Sequence, residues 1–310
     1  MRIEFRHRGF NPVRRCNTVP RTNLDSRGDR QITSRPRYGT KFHVARYEIT
    51  SPLWFEPPMR IAVLSDLHVC SRWMPLSKIA GLVEQANAEC PDLIVMPGDF
   101  LVGHLVGKRP IPARAIAEVL QELSAPLGVF ASLGNHDWSD CPEASRNGHT
   151  RSSVEDAFEG VGIPVLNNRN TELKQDTYLV GLDSAIGTGT TRRPDARHDP
   201  AAAFDGVPEG ASTILMAHEP DFFLDERRRV ALQVSGHTHG GQVGAFGIWA
   251  TGPSRYGRRL DYGLKRDGCR NLVITAGVGF GGLPIRLGKV SEFSVVTLAP
   301  TDDANSEAAP

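Results

Sequence analysis

R-I-A-V-L-S-D-L-H, residues 60–68, sets an apolar run against a polar end: six residues that read as a buried strand, then Asp66 and His68. The pattern recurs along the chain. D-L-I-V-M at 92–96 runs into Gly98 and Asp99, and the strand signal at 128–133 into G-N-H-D, which carries Asn135, His136 and Asp137. The run at 213–217 ends on His218, and the run at 230–234 opens into S-G-H-T-H-G-G-Q with His237 and His239. Ligands of open α/β sheets bind in the crevice outside the carboxyl ends of strands. Polar clusters at five such ends therefore mark a site, whereas the same residues in mid-strand would be a burial problem. The glycines before Asp99, Asn135 and His237 suit strand-to-loop turns that let backbone crowd a centre.

Between these runs lie helical patterns. Leu76–Ala88 places Ile79, Leu82, Val83 and Ala86 on one face; 113–123 does the same with Ile116, Val119, Leu120 and Leu123. A short helix is expected around 154–158 and a strand at 163–166. From residue 178 onward strand signals dominate, at 178–182, 272–276 and 293–298 in addition to the runs above. An α/β first half with a strand-rich second half predicts a single α/β domain over residues 41–300: a two-sheet sandwich with helices on both outer faces.

The 310 residues carry a net charge of +1 that conceals a split. Residues 1–46 hold 12 Lys/Arg against 3 Asp/Glu, and the remainder is net −8. Residues 1–40 show almost no apolar periodicity and read as a basic, disordered tail, while 301–310 form a short acidic one. The basic tail suits peripheral contact with an anionic membrane. The acidic remainder disfavours a long phosphate-tracking groove, so specific nucleic-acid binding is not expected. No apolar stretch approaches the ~18 residues of a membrane span, and no apolar region follows Arg14-Arg15 to complete an export signal. Five cysteines with no C-x-x-C pair argue against a thiolate zinc site and point to a cytoplasmic protein. The glycine-rich runs lack the spacing and the Lys-Ser/Thr of a phosphate-cradling P-loop.

Taken singly, each cluster has a bland reading. An Asp at a strand end is commonly a turn or helix cap, His218 could be a satisfied core histidine, and H-x-H also serves cupins and several hydrolases. Order and company carry the weight: five clusters, each after a strand, use five of the ten histidines.

The series D-L-H, G-D, G-N-H-D, H and G-H-T-H resembles the five-block signature of the calcineurin-like metallophosphoesterase superfamily. The flanking A-H-E-P-D, G-H-T-H-G-G-Q and G-V-G-F-G-G-L-P-I-R-L-G resemble its single-domain bacterial phosphodiesterase branch of the YkuE and YaeI type. The resemblance implies a four-layer αββα fold and a hydrolase of phosphoric esters that uses a metal-bridging hydroxide for in-line attack. It implies that Asp66, His68 and His239 hold one divalent ion, that Asn135, His218 and His237 hold a second, and that Asp99 bridges them. His136 would be the general acid. Mixed imidazole and carboxylate ligands suit Mn, Fe or Zn. Phosphodiesters are the leading substrate class; a UDP-diacylglucosamine-type pyrophosphate at the membrane surface is the alternative, and a metal-free binding scaffold is the rival of a different class. In the phosphoprotein phosphatases the G-D block continues to a second aspartate that orients the acid. Here that position is Val102, which leaves Asp137, or less favourably Asp183, to support His136 from outside the metal ligands. Arg286 in G-L-P-I-R-L-G reads equally as a phosphate-binding arginine and as a surface anchor for the last strand.

Overall fold

The computed structural model describes residues 42–103, 109–245, 248–249 and 252–301. The basic tail and all but the first residue of the acidic one lie outside these. The described residues form thirteen strands: β1 (His43–Ser51), β2 (Met59–Val63), β3 (Leu93–Pro97), β4 (Val129–Ser132), β5 (Arg169–Lys174), β6 (Thr177–Gly181), β7 (Ser212–Met216), β8 (Leu232–Ser235), β9 (Gly244–Ala245), β10 (Ile248–Trp249), β11 (Gly263–Asp267), β12 (Arg270–Ile274) and β13 (Glu292–Pro300). The helices are α1 (Leu76–Ala88), α2 (Ala113–Leu120), α3 (His136–Ser139), α4 (Pro142–Arg146), α5 (Ser153–Gly160), α6 (Pro200–Ala203) and α7 (Phe222–Asp225).

One sheet has the order β1-β13-β2-β3-β4 and the other β11-β12-β8-β7-β6-β5. Strands buried on both faces read as continuous apolar runs, which is why residues 60–64 and 93–96 were legible. Along β2, Ile61 and Val63 enter the core between the sheets, while Ala62 and the following Leu64 turn outward to a helical layer. The same alternation divides Leu93 and Val95 from Ile94 and Met96. α1 lays Ile79, Leu82, Val83 and Ala86 on that outer face beside α2 and α5. α5 starts at a capping box in which Ser152 Oγ accepts from Val154 N and Glu155 accepts from Ser152 N.

The outer face of the second sheet is covered more thinly, by the single turns α6 and α7 and a 3₁₀ turn at Gly257–Leu260 over Val180, Leu215, Leu272 and Ile274. The expected strand at 163–166 reduces to one bridge, Val165 to Ala131, at the edge of the first sheet. Three strands lie outside the runs expected from sequence. β5 is a half-exposed edge, β11 is an edge pairing only with β12, and β1, in which buried Ala45, Tyr47 and Ile49 alternate with Arg46, Glu48 and Thr50, pairs parallel with the C-terminal β13. No helix among the described residues is long and apolar enough to cross a membrane.

Candidate metal centre

β2, β3 and β4 run parallel in one sheet, and β7 and β8 in the other. Their carboxyl ends open onto one crevice, and all five polar clusters lie there. The two sheets are tied together at this edge. His237 N donates to Asp66 Oδ1 at 2.9 Å, and His218 Nδ1 meets Pro97 O at 2.6 Å.

Two groups of ligand-type side chains result: Asp66 with His68 and His239, and Asp99 with His218 and His237, every member buried. Within each group the ligand atoms lie within 4.8 Å of one another. His68 Nε2 stands 3.1 Å from His239 Nε2, close enough for one ring to donate to the other or for both to face a single cation. The groups meet at Asp99. Its Oδ2 is 3.6 Å from His68 Nε2 and 3.1 Å from His218 Nε2, while its Oδ1 accepts from His136 N at 2.8 Å. The rings are oriented by main chain. His68 Nδ1 faces Leu101 O at 3.1 Å and His218 Nδ1 faces Pro97 O, which turns both Nε2 atoms inward.

The backbone is strained where these side chains leave it. Asp66, His68, Asp99, His237 and His239 all have positive φ, between 43° and 67°. A non-glycine residue held there costs roughly 1–3 kcal/mol, and such residues cluster at functional sites. Electrostatics follow from crowding. Burial, and then the positive charge of His218, pushes His237 down to about 4; burial and then His68 and Arg286 hold His239 well below the usual imidazole range. Both rings therefore stay neutral, as metal ligation requires; burial would lower His218 too, but Asp99 outweighs it and raises it, so that ring must release a proton to bind an ion. Burial would raise Asp99, but His218 and His136 outweigh it and hold the carboxyl low. Asp66 has fewer such neighbours, and burial pushes it up to about 6.

The donor set fits a pair of divalent ions. Asp66 Oδ2, Asn135 Oδ1 and His237 Nε2 are buried polar atoms without a hydrogen-bond partner, and His218 Nε2 faces Asp99 Oδ2 at 3.1 Å. Each such orphan costs about 1–3 kcal/mol, and here they converge on one crevice. Asn135 is telling. It occupies the N-cap of α3, where an asparagine ordinarily accepts from the first turn, yet its side chain makes no capping bond.

The family model for the calcineurin-like phosphoesterases matches residues 59–241, which contain every one of these ligands. The chain belongs to that family. It is a metal-dependent phosphoesterase. Among its relatives, the metallophosphoesterase YkuE of Bacillus subtilis is 27% identical over 250 residues, covering 78% of this chain and 80% of that protein. Phosphodiesterase YaeI of Escherichia coli is 29% identical over 225 residues, covering 72% and 76%. A transmembrane protein with a metallophosphoesterase domain from Danio rerio is 29% identical over 253 residues, 77% of this chain; the match spans 53% of that relative's length.

In this calcineurin-like chain His136 stands beside the centre, its ring centroid 5.2 Å from that of His68. The carboxylate that holds it is neither of the two expected from sequence. Asp137 points away, accepting from the backbone N–H groups of Asp99, Phe100, Leu101 and Gly134, so it braces the Asp99 loop. Asp183 accepts from Trp138 Nε1 at 2.7 Å. Asp140 Oδ2 takes the place, 2.6 Å from His136 Nδ1. It lies outside every motif block; the signal available was its i+4 spacing from His136. Arg286 is not a surface anchor. Its Nε and Nη2 donate to the carbonyls of Ala276, Gly277 and Gly279, with Nη2 3.3 Å from His239 Nδ1. The loop it holds packs on Asp66, whose carbonyl accepts from Gly279 N at 2.7 Å.

Proposed function

We propose that the chain is a phosphodiesterase whose centre holds two divalent ions, with His136 as general acid. One observation carries the reading: Asp99 Oδ2 faces His68 of one ligand group and His218 of the other, the position of a bridging carboxylate. Asp66, His68 and His239 would hold one ion, and Asn135, His218 and His237 the other. The mixed imidazole and oxygen donors suit Mn, Fe or Zn. Two such ions supply Lewis acidity that activates water and neutralises charge on the phosphoryl oxygens. The chain's own residues do the rest. Asp140 accepts from His136 Nδ1 and leaves Nε2 to give a proton to the departing oxygen. Burial of the ligands keeps water from competing for them, and the carbonyl-bound Arg286 keeps the loop over Asp66 in place, with its buried Nη1 left to meet an anionic oxygen. The name of the YaeI relative supports a diester over a monoester.

Metal analysis of chain purified without added metal should find about two Mn, Fe or Zn per chain. The loaded protein should hydrolyse bis(p-nitrophenyl) phosphate, and His136→Ala should slow turnover by about 10²–10⁴-fold with both ions retained. A chain that takes up no metal, or a His136→Ala variant as fast as the parent, would overturn the reading.

A further inference from the structure

Six large apolar side chains stand exposed among the described residues, and five belong to one place: Val243, Leu283, Ile285, Leu287 and Val290. Leu283, Ile285 and Leu287 are each about half exposed, at 49%, 50% and 55%. They alternate with Pro284 and Arg286, which are more covered. The usual sense of an amphipathic segment is inverted here, since the apolar side chains face water and the cation faces in. Main-chain and amide contacts hold the segment in this state. The Gln242 side-chain amide donates to Gly281 O and Leu283 O and accepts from Gly281 N, and Leu287 N donates to Gln242 O. Val243 bridges to Leu287 and Gly288.

The segment borders the metal centre on both sides. A Cβ on Gly281 would lie 2.7 Å from the His239 ring, so this residue is packed against a ligand. Gly282 N donates to Gly103 O, and a Cβ on Gly103 would lie 2.8 Å from the His68 ring and 2.9 Å from that of His136. Cations are interleaved with the apolar residues. Arg286 Nη1 is buried without a partner, and Lys289 Nζ sits 3.5 Å over the Tyr262 ring. An exposed apolar patch of this kind marks a site of association. This one is continuous with a centre that acts on anionic esters, so its complement is a molecule with a phosphate at one end and hydrocarbon at the other.

We infer that residues 283–290 form an apolar rim that seats the hydrocarbon of a lipid aggregate, and that the substrate is a phosphodiester of an amphiphilic lipid. The inference rests on the phosphodiesterase reading for its chemistry and on the rim for its specificity. Two diesters with the same scissile bond separate the terms: methyl p-nitrophenyl phosphate and hexadecyl p-nitrophenyl phosphate in neutral mixed micelles. The metal-loaded full chain should prefer the hexadecyl ester by about tenfold or more in kcat/KM. A Leu283→Ser, Ile285→Ser, Leu287→Ser variant should erase that preference and keep the methyl-ester rate within about twofold. The parent, unlike the variant, should float with pure phosphatidylcholine vesicles, which offer no net charge to a basic tail. No chain-length preference in the parent, or an equal loss on both esters in the variant, would overturn the inference. So would a parent dimer that the substitutions dissolve, which would make the rim a subunit interface. If neither ester is hydrolysed, the reading of the centre fails, and vesicle flotation still decides the rim: a parent that does not float rules it out.

Discussion

Asp140 shows how much one side chain outside a motif can decide. Its carboxylate holds His136 Nδ1 at 2.6 Å from the far end of a single helical turn. Without that acceptor the imidazole is free to rotate and to carry its proton on the wrong nitrogen. Asp140→Asn should therefore lower kcat by roughly tenfold or more, with KM within about twofold, an unchanged melting temperature and both metal ions retained. Steady-state kinetics beside metal analysis check this; a rise in KM with kcat intact would give Asp140 a role in binding instead. The ligand candidates were legible because each lies at the end of an apolar run. Asp140 was not, because nothing in H-D-W-S-D says that the chain turns helical there until Asn135 and the loop above it are in place. Asp137, adjacent to His136 in sequence, points the other way and spends its four bonds on the loop of Asp99.

The strand-to-loop junctions are built around glycines that a methyl group would break. A Cβ on Gly134 would stand 2.3 Å from Asp99 Oδ1 and 2.6 Å from Asp99 N, and one on Gly236 would stand 2.1 Å from Asp66 Oδ2. These contacts let β3, β4 and β8 deliver ligands from neighbouring loops into one crevice. Gly134→Ala must push Asp99 away, so the variant should fold yet lose metal. Its metal content should fall from about two ions per chain to about one or fewer, because Asp99 faces both groups, and its diesterase rate should fall at least about a hundredfold. Metal analysis of the variant is the check, and full occupancy would show that the loop yields. The elements most poorly read from sequence were those with least burial contrast. β5 is an edge strand whose one apolar residue is Leu173, and 163–166, apolar enough to suggest a strand, pairs at a single bridge because the sheet ends at β4.

Over the whole molecule, the candidate ligands come from five loops of two sheets that meet at one edge, so bound metal would act as a clasp between halves of the fold. A ligand that binds only the folded state stabilises it by about 4 kcal/mol at a thousandfold excess over Kd. Chelation should therefore lower the melting temperature by roughly 8–16 °C at about 2–4 °C per kcal/mol, with recovery when Mn²⁺ is restored. Asp99→Asn should show a much smaller response to chelation. Calorimetry with and without chelator measures both, and a melting temperature indifferent to metal would mean that the sheets need no clasp. The amino-acid chain by itself established an α/β sandwich and five polar clusters at strand ends, because burial on both strand faces leaves unbroken apolar runs and polar residues must collect where those runs end; the resemblance of those clusters to the calcineurin-like signature singled out seven metal-ligand candidates among them. It could not place β13 between β1 and β2, identify Asp140 as the partner of His136, or turn Leu283, Ile285 and Leu287 outward beside the centre. Those depend on which segments meet across long separations, and a local pattern of apolar and polar residues holds no record of the partner it will face.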